Sequence, residues 1–485
     1  MKKRIMDLGY NSFEDLNLNS AKSIRVEPEL DFSLLINPLG NPFDQPDSGL
    51  DFSKATKNAS QRLTQYPDNR YSEFRDSVAS FFENTILPEQ VVPGNGSCEL
   101  VKLVFECTVN EGDKVVIVQP ATKLFEKYCN IHGAETMHIM EDEIQDIDPS
   151  DIQDAKVMFL SNPSDVSGKL VEENVLKKLS EICIQTNTLL FVNESCIDFA
   201  DESASLISIT RSNNNLFVLR SLDTMFAIPG IRVGFGVTSP EMAVKLNSAR
   251  LSWNLGVVSE KVAISLMRRD DLSKNYLAKT RKYISENQEY LVDRLSKIRK
   301  FRVLPGDSHY VLVDISASSI GSTELTHRLL DAGIKVKDCS NLYSMGQDFI
   351  RVSVRSKEAT DNLVREIGIA VVDSARDKAM EKLETSLLSP EFSAIGPNKT
   401  CPYYPCHFQG QDCTFCFCPF YPCGNERTGG KWVERSSGGK VWSCEGCNIV
   451  HLPDVAKKLV CELRVDSPME EKLKKTWKKV VEPLL

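Results

Sequence analysis

Leu219–Gly236 reads LRSLDTMFAIPGIRVGFG. It leaves an apolar run, LFVLR (216–220), that reads as a buried strand. It then passes a Pro–Gly turn and closes on Arg232, Gly234 and Gly236. The stretch has no primary amine. No lysine occurs between Lys178 and Lys245, so no neighbouring position supplies one.

Working outward, the same type of buried run recurs at KVVIV (114–118), KVMFL (156–160) and TLLFV (188–192), each followed by a turn or a longer polar–apolar segment. That alternation predicts an open α/β sheet. HYVLVDI (309–315) and FIRVSVR (349–355) predict strands of a second, smaller α/β unit, after one long helical stretch over about 257–299. Residues 373–400 continue a helix and then loosen into SPEFSAIGPNKT, a linker. The tail PMEEKLKKTWKKVVEPLL predicts one amphipathic helix.

VPGNGSCELVKLVFECTV, from Val92, carries a possible anion site. Gly94 and Gly96 permit a close backbone approach, Asn95 lies between them, and Ser97 stands at a helix start. Leu100, Leu103, Val104 and Cys107 follow at helical spacing. Unpaired N–H groups at such a start hold phosphate, although a Gly-rich turn before a helix is more often structural.

In chain order stand DFSLLINPLGNP (31–42), a YPD step (Tyr66–Asp68), GNGS (94–97), NPSDVSG (162–168), AIPGIRVGFG (227–236) and KDCSNLYSMGQDFIRVSVR (337–355). Together, over about 340 residues, they resemble the fold-type I family of pyridoxal phosphate (PLP) enzymes, in particular its histidinol-phosphate aminotransferase and threonine-phosphate decarboxylase members. The DCSN and FIRVSVR segments are more similar to the decarboxylase, which supplies the aminopropanol phosphate arm of cobalamin. The resemblance implies an N-terminal arm (1–50) joining the small domain and a large domain (51–260) with a mixed, mostly parallel sheet covered on both faces. It further implies a small α/β domain (261–375) and a dimer with its active sites at the interface.

The resemblance also assigns residues. Counting eight back from Arg232 of the PGxR step, the cofactor lysine falls at Thr224, which cannot form an imine. The carboxylate for the pyridine nitrogen falls at Asn193, and the following tyrosine at Cys196. The asparagine for the ring hydroxyl falls at Asp165 and the stacking aromatic at Thr122, with Phe125 one helical turn away as a possible substitute. Ser221, Arg232 and the 94–97 loop favour a phosphate, but Asp223 replaces a hydroxyl donor. Like charges at about 4 Å oppose one another by a few kcal/mol, roughly, at an intermediate dielectric. Arg351 matches the clamp for a substrate carboxylate, which a guanidinium meets with two hydrogen bonds.

Eight of the 15 cysteines fall between Cys401 and Cys447; six are scattered before residue 400, where buried thiols are the simple reading, and Cys461 follows. CPYYPC (401–406) returns as CPFYPC (418–423), and SCEGCNIVH adds Cys444, Cys447 and His451. The spacing predicts a metal-binding module over 401–452, stabilised by its metal and followed by a terminal helix (453–485), after helix and linker over 376–400. Its candidate ligands are Cys401, Cys406, Cys413, Cys416, Cys418, Cys423, Cys444, Cys447, His407 and His451, which exceed one tetrahedral site and suit two zinc centres or an iron–sulfur cluster. This segment resembles a small cysteine-rich domain found alone or fused to cobalamin-related proteins.

The whole chain carries a net charge of −9, and residues 401–485 hold 12 Lys+Arg against 10 Asp+Glu, which argues against nucleic acid as a partner. No apolar run suits a membrane span or a signal peptide, so a soluble, cytoplasmic protein is expected. Three readings follow. The first is a degenerate relative of the decarboxylase that binds a small anion or amino-acid phosphate without covalent PLP, as a homodimer or paired with an active paralogue. The second is a working PLP decarboxylase or aminotransferase with a lysine from elsewhere. The third is an electron-transfer or metal-handling protein built on the cysteine module.

Overall fold

The structure is a computed structural model and describes residues 28–200, 202–268, 271–434 and 440–485. The first 27 residues of the expected arm lie outside that description. The chain divides into two compact units at Thr360/Asp361, with Ser318–Ile320 belonging to the second.

The first unit is built on a seven-stranded sheet. After β1 (Leu30–Asp31), its strands are β2 (Val91–Gly94), β3 (Lys114–Gln119), β4 (Glu135–Met140), β5 (Ala155–Ser161), β6 (Leu189–Asn193), β7 (Leu216–Ser221) and β8 (Gly234–Thr238). Their order is β2-β8-β7-β6-β5-β3-β4. From β4 to β7 all pairings are parallel, whereas β8 runs antiparallel to both β7 and β2. Alternate residues enter two separate cores. Val115, Ile117, Val157, Phe159, Phe191 and Phe217 face one; Val116, Val118, Met158, Leu160, Val192 and Val218 face the other. A sheet covered on both faces therefore reads as unbroken apolar runs. On one face Phe105, Phe125, Phe159, Phe191 and Phe217 form a chain of ring contacts. Gly236 is required there, because an added Cβ would lie 2.0 Å from the Phe217 ring.

A smaller antiparallel sheet follows, from β9 (Arg302–Pro305), β10 (Tyr310–Asp314), β12 (Lys337–Asp338) and β13 (Phe349–Ser353), in the order β12-β13-β10-β9. β11 (Ile334–Lys335) pairs in parallel with β1, which ties the chain's beginning to this region. The helical stretch expected over 257–299 is two helices, Val257–Leu266 and Asp271–Ser296. The first is capped at Met267, whose φ/ψ of −95/7° leaves the helical range.

The second unit takes the helix Lys357–Leu387 from residue 361 onward, a hairpin of β14 (Lys431–Glu434) and β15 (Lys440–Ser443), and the helix Pro453–Leu463. The tail is one continuous helical segment, as expected, but its pitch changes: α-helix over Met469–Thr476, a π turn over Trp477–Val481, then 3-10 over Glu482–Leu484. Beside the stability that the module is expected to draw from metal, the unit as a whole has an apolar core, most of it from outside residues 401–452. Leu383, Phe415, Val450, Leu459, Val460, Leu463 and Val481 meet within it. Apolar side chains from the flanking helices supply what the cysteine loops lack. Among the described residues no helix is long and apolar enough to cross a membrane.

Candidate functional site

Ser161, Asn193 and Ser221 are the last residues of β5, β6 and β7. In a parallel sheet the carboxyl ends open a crevice for ligands, and here Asn193 and Ser221 line a cavity of about 360 Å³. Its wall carries Ser97, Thr122, Asp165, Asn193 and Cys196, together with Ser221, Asp223, Thr224, Arg232 and Arg351. Gly94, Asn95 and Gly96 do not line it.

At one end a carboxylate of the chain takes Arg232, one of the groups expected to favour a phosphate. Asp223 accepts from the Val233 N–H at 3.0 Å and pairs with Arg232. Burial pushes its carboxyl up to about 6, although the Val233 N–H and Arg232 pull the other way. Asp223, expected to oppose an anion, is thus itself paired with Arg232, one of the groups expected to favour one. Gly96 has φ +74° and packs beneath the Arg232 guanidinium, where a Cβ would lie 2.1 Å from Nη2. The 94–97 loop is answered similarly. The Asn95 N–H donates to Glu99 Oε2, which also accepts from Asn254 Nδ2 at 2.7 Å.

Thr224 sits in the single-turn helix Leu222–Met225, capped by Ser221. Its hydroxyl donates to Ser221 Oγ at 3.2 Å. Asn37 secures this turn, its backbone and side-chain N–H groups donating to the carbonyls of Thr224 and Met225, each at 3.0 Å.

In the middle of the cavity, Asn193 Nδ2 donates to both carboxylate oxygens of Asp165 at 3.2 Å, and Asn193 Oδ1 accepts from Ser195 Oγ at 2.6 Å. The carboxylate and carboxamide stand at the two positions where the resemblance placed them in reverse. Burial raises the Asp165 carboxyl against the opposing effects of Ser161, Arg351 and Asn193. Burial likewise raises the Cys196 thiol. Thr122 spends its hydroxyl on the Leu124 N–H as a helix cap. Phe125 reaches the cavity wall while its ring stacks on Phe159 at 4.6 Å within the apolar core.

At the other end lies Arg351. Nη1 donates to the Asp165 carbonyl and Nη2 to the Ser33 carbonyl at 3.0 Å, while the guanidinium lies 5.3 Å from the Tyr310 ring centre. It is 8% exposed. Among the described residues it makes no ion pair, and its Nε has no hydrogen-bond partner. Two carbonyls use only part of a five-donor fork.

Sequence reasoning missed Lys123 and Lys337, which line the same cavity from the start of a helix and from an edge strand. Lys337 opens the KDCSNLYSMGQDFIRVSVR stretch and Lys123 follows Thr122, but neither is assigned a role. It also missed the group beside Asn193. Arg220 is 1% exposed and pairs with Asp198 at 2.8 Å and Glu194 at 3.3 Å.

In the second unit, Cys416, Cys418, Cys423, Cys444 and Cys447 line a cavity of about 190 Å³ with His407 and His451; Cys401, Cys406 and Cys413 do not. The two imidazoles stack at 4.2 Å, and His451 Nδ1 lies 3.0 Å from the Asp412 carbonyl. Among the described residues no three His, Cys, Asp or Glu side chains stand in an arrangement ready to hold an ion.

Residues 41–367 match the model of the aminotransferase class I and II family. The chain belongs to that family. Residues 392–475 match a cysteine-rich small domain. Among aminotransferase relatives, the histidinol-phosphate aminotransferase of Thermoanaerobacter sp. is 26% identical over 329 residues, covering 67% of this chain and 89% of its own. That of Methanosphaera stadtmanae is 23% identical over 308 residues, 62% and 81% of the two chains. The solved histidinol-phosphate aminotransferase of Clostridium acetobutylicum superposes with a TM-score of 0.63 at 25% identity, covering 71% of this chain and 99% of that one. L-threonine-O-3-phosphate decarboxylase of Porphyromonas gingivalis shares the fold at a TM-score of 0.58 and 15% identity, covering 72% and 99%. The aminotransferase family normally binds PLP.

Proposed function

We propose that this protein is an aminotransferase-family member that has left imine chemistry and binds a small carboxylate, an amino acid or its analogue, through Arg351. The observation that carries this reading is a buried arginine on the wall of a cavity that, among the described residues, makes no direct ion pair and leaves Nε without a hydrogen-bond partner. Buried charges are normally paired, so a guanidinium kept in that state favours an incoming anion. The residues do not fit covalently held PLP. Threonine stands at the amine's position, and the Asp223 carboxylate takes Arg232 and the Val233 N–H beside it. The ligand class is therefore narrowed from any amino-acid phosphate to a carboxylate without a second anionic group at the Asp223 end. Arg351 orients the carboxylate, and Tyr310 backs the guanidinium. Family members are typically homodimers, and we take the same assembly for this chain. The cysteine-rich unit, in this reading, holds metal through its thiols.

Titration calorimetry with L-threonine, L-threonine O-phosphate and histidinol phosphate tests the cleft. The reading expects threonine or another plain amino acid to bind, and O-phosphorylation to weaken binding. Preferred binding of the phosphates overturns it.

Lys123 and Lys337 on the cavity wall favour one second reading, an active PLP enzyme using a displaced lysine. Borohydride treatment with PLP followed by peptide mass mapping separates the two. A stoichiometric adduct at either lysine establishes the second reading and ends the first.

A further inference from the structure

Five of the eight clustered thiols of the second unit border one cavity, and Cys401, Cys406 and Cys413 do not. Cys418 lines that cavity with Cys423, Cys444 and Cys447. Cys416, only one residue earlier, also borders it, but its C-x2-C spacing joins it to Cys413 in a first set with Cys401 and Cys406. The Cys401 N–H donates to the Asn398 carbonyl at 3.2 Å, which brings Cys401 to the same loop.

Hydrogen bonds tie the first set together. Gln411 Nε2 reaches Cys406 Sγ at 3.0 Å and Cys413 Sγ at 3.7 Å, so one amide spans two thiols. The Asn398 N–H donates to Cys413 Sγ at 3.4 Å.

The internal repeat now has a structural meaning. Tyr404 N donates to Cys401 O at 3.0 Å, and Tyr421 N donates to Cys418 O at 3.1 Å, so CPYYPC and CPFYPC make the same turn. Each turn opens one set with a C-x4-C pair. Cys413–Cys416 closes the first set with C-x2-C, and Cys444–Cys447 closes the second, the Cys447 N–H donating to Cys444 O at 2.9 Å. The two histidines stand outside this scheme. His451 is bound to Asp412 twice, through its ring at 3.0 Å and through its carbonyl, which accepts the Asp412 N–H at 2.8 Å. His407 stacks upon it. They connect the loops that carry the two sets.

We propose that the second unit holds two separate four-thiolate centres, each for one soft tetrahedral divalent ion of the zinc class. One uses Cys401, Cys406, Cys413 and Cys416. The other uses Cys418, Cys423, Cys444 and Cys447, and neither uses His407 or His451. This rests on the reading that the unit holds metal. Each ion binds as thiol protons are released, and no electron moves. The sulfurs close on the ion as it binds.

The test uses the full chain purified without chelator, with metal and sulfide analysis and alkylation mapping of cysteines. The expected result is about two zinc-class ions per chain and no sulfide. Cys406→Ser and Cys447→Ser should each keep one ion, with alkylation newly reaching the three remaining cysteines of the altered set alone. His407→Ala and His451→Ala should keep both. If either cysteine variant fails to fold, cobalt titration of the unaltered chain replaces it: two equivalents with tetrahedral, thiolate-to-metal bands support the scheme, and saturation at one overturns it. One ion lost equally in both cysteine variants overturns the partition while leaving metal binding intact. A histidine variant that loses an ion, or iron with sulfide, overturns the ligand set or the ion class. No bound metal after reconstitution refutes the underlying reading itself.

Discussion

Arg220 and Arg351 are both buried arginines on strands of the same unit, and they differ in what answers their charge. Arg220 meets two carboxylates, Glu194 and Asp198, and rests against the Phe82 ring. Arg351 meets carbonyl oxygens and a tyrosine ring. The first arrangement is complete within the chain, so its role is to hold the ends of β6 and β7. The second leaves Nε of the guanidinium without a hydrogen-bond partner, which is what the proposed carboxylate would meet. A third arginine, Arg232, shows an intermediate case: the chain supplies Asp223 where the family resemblance would place a ligand's phosphate.

This contrast can be broken by substitution. The largest effect expected is a gain. Thr224→Lys with Asp223→Ser should take the borohydride-trapped PLP adduct from none to about one per chain, whereas Thr224→Lys alone stays low because the Asp223 carboxylate remains. Next, Arg220→Ala should lower unfolding stability by about 3–5 kcal/mol in denaturant titration, since it strands two buried carboxylates. Arg351→Ala should do the reverse: stability nearly unchanged, but carboxylate affinity reduced by about 100-fold in calorimetry. Equal stability losses in the two variants would erase the distinction between them.

Asp223 sharpens the comparison through pH. Its carboxyl holds its proton more tightly folded than unfolded, about 6 against 3.8. The stability this contributes is full below pH ~4 and is lost as pH rises through ~6. Between those limits the wild type should lose roughly 2 kcal/mol relative to Asp223→Asn, measured as the difference between two stability–pH curves. The smallest effect belongs to Arg232→Ala. Its side chain is 46% exposed, so solvent screens the pair, and a loss of at most ~1 kcal/mol is expected.

Much of the large sheet was legible because β3, β5, β6 and β7 are buried on both faces, and that burial writes itself as runs such as KVMFL and LFVLR. β2, β4, β8 and β9 were missed. β4 is half-buried at the sheet's edge, and β8 carries two glycines that make room for its neighbours. Within the site, the ordered motifs pointed to residues from five separate segments that now share one cavity wall. Lys123 and Lys337 escaped because a wall residue on a distant element leaves no periodic trace.

Composition and pattern pointed to the α/β scaffold and the cysteine-rich module, and the family resemblance assigned the lysine's position to Thr224, since each depends on residue identity and local spacing. Which carboxylate answers which arginine, and which thiols keep company, depended on folding. Charge and ligation act through space over a few ångströms, and partners 10 to 300 residues apart are brought within that range by the packing of the chain.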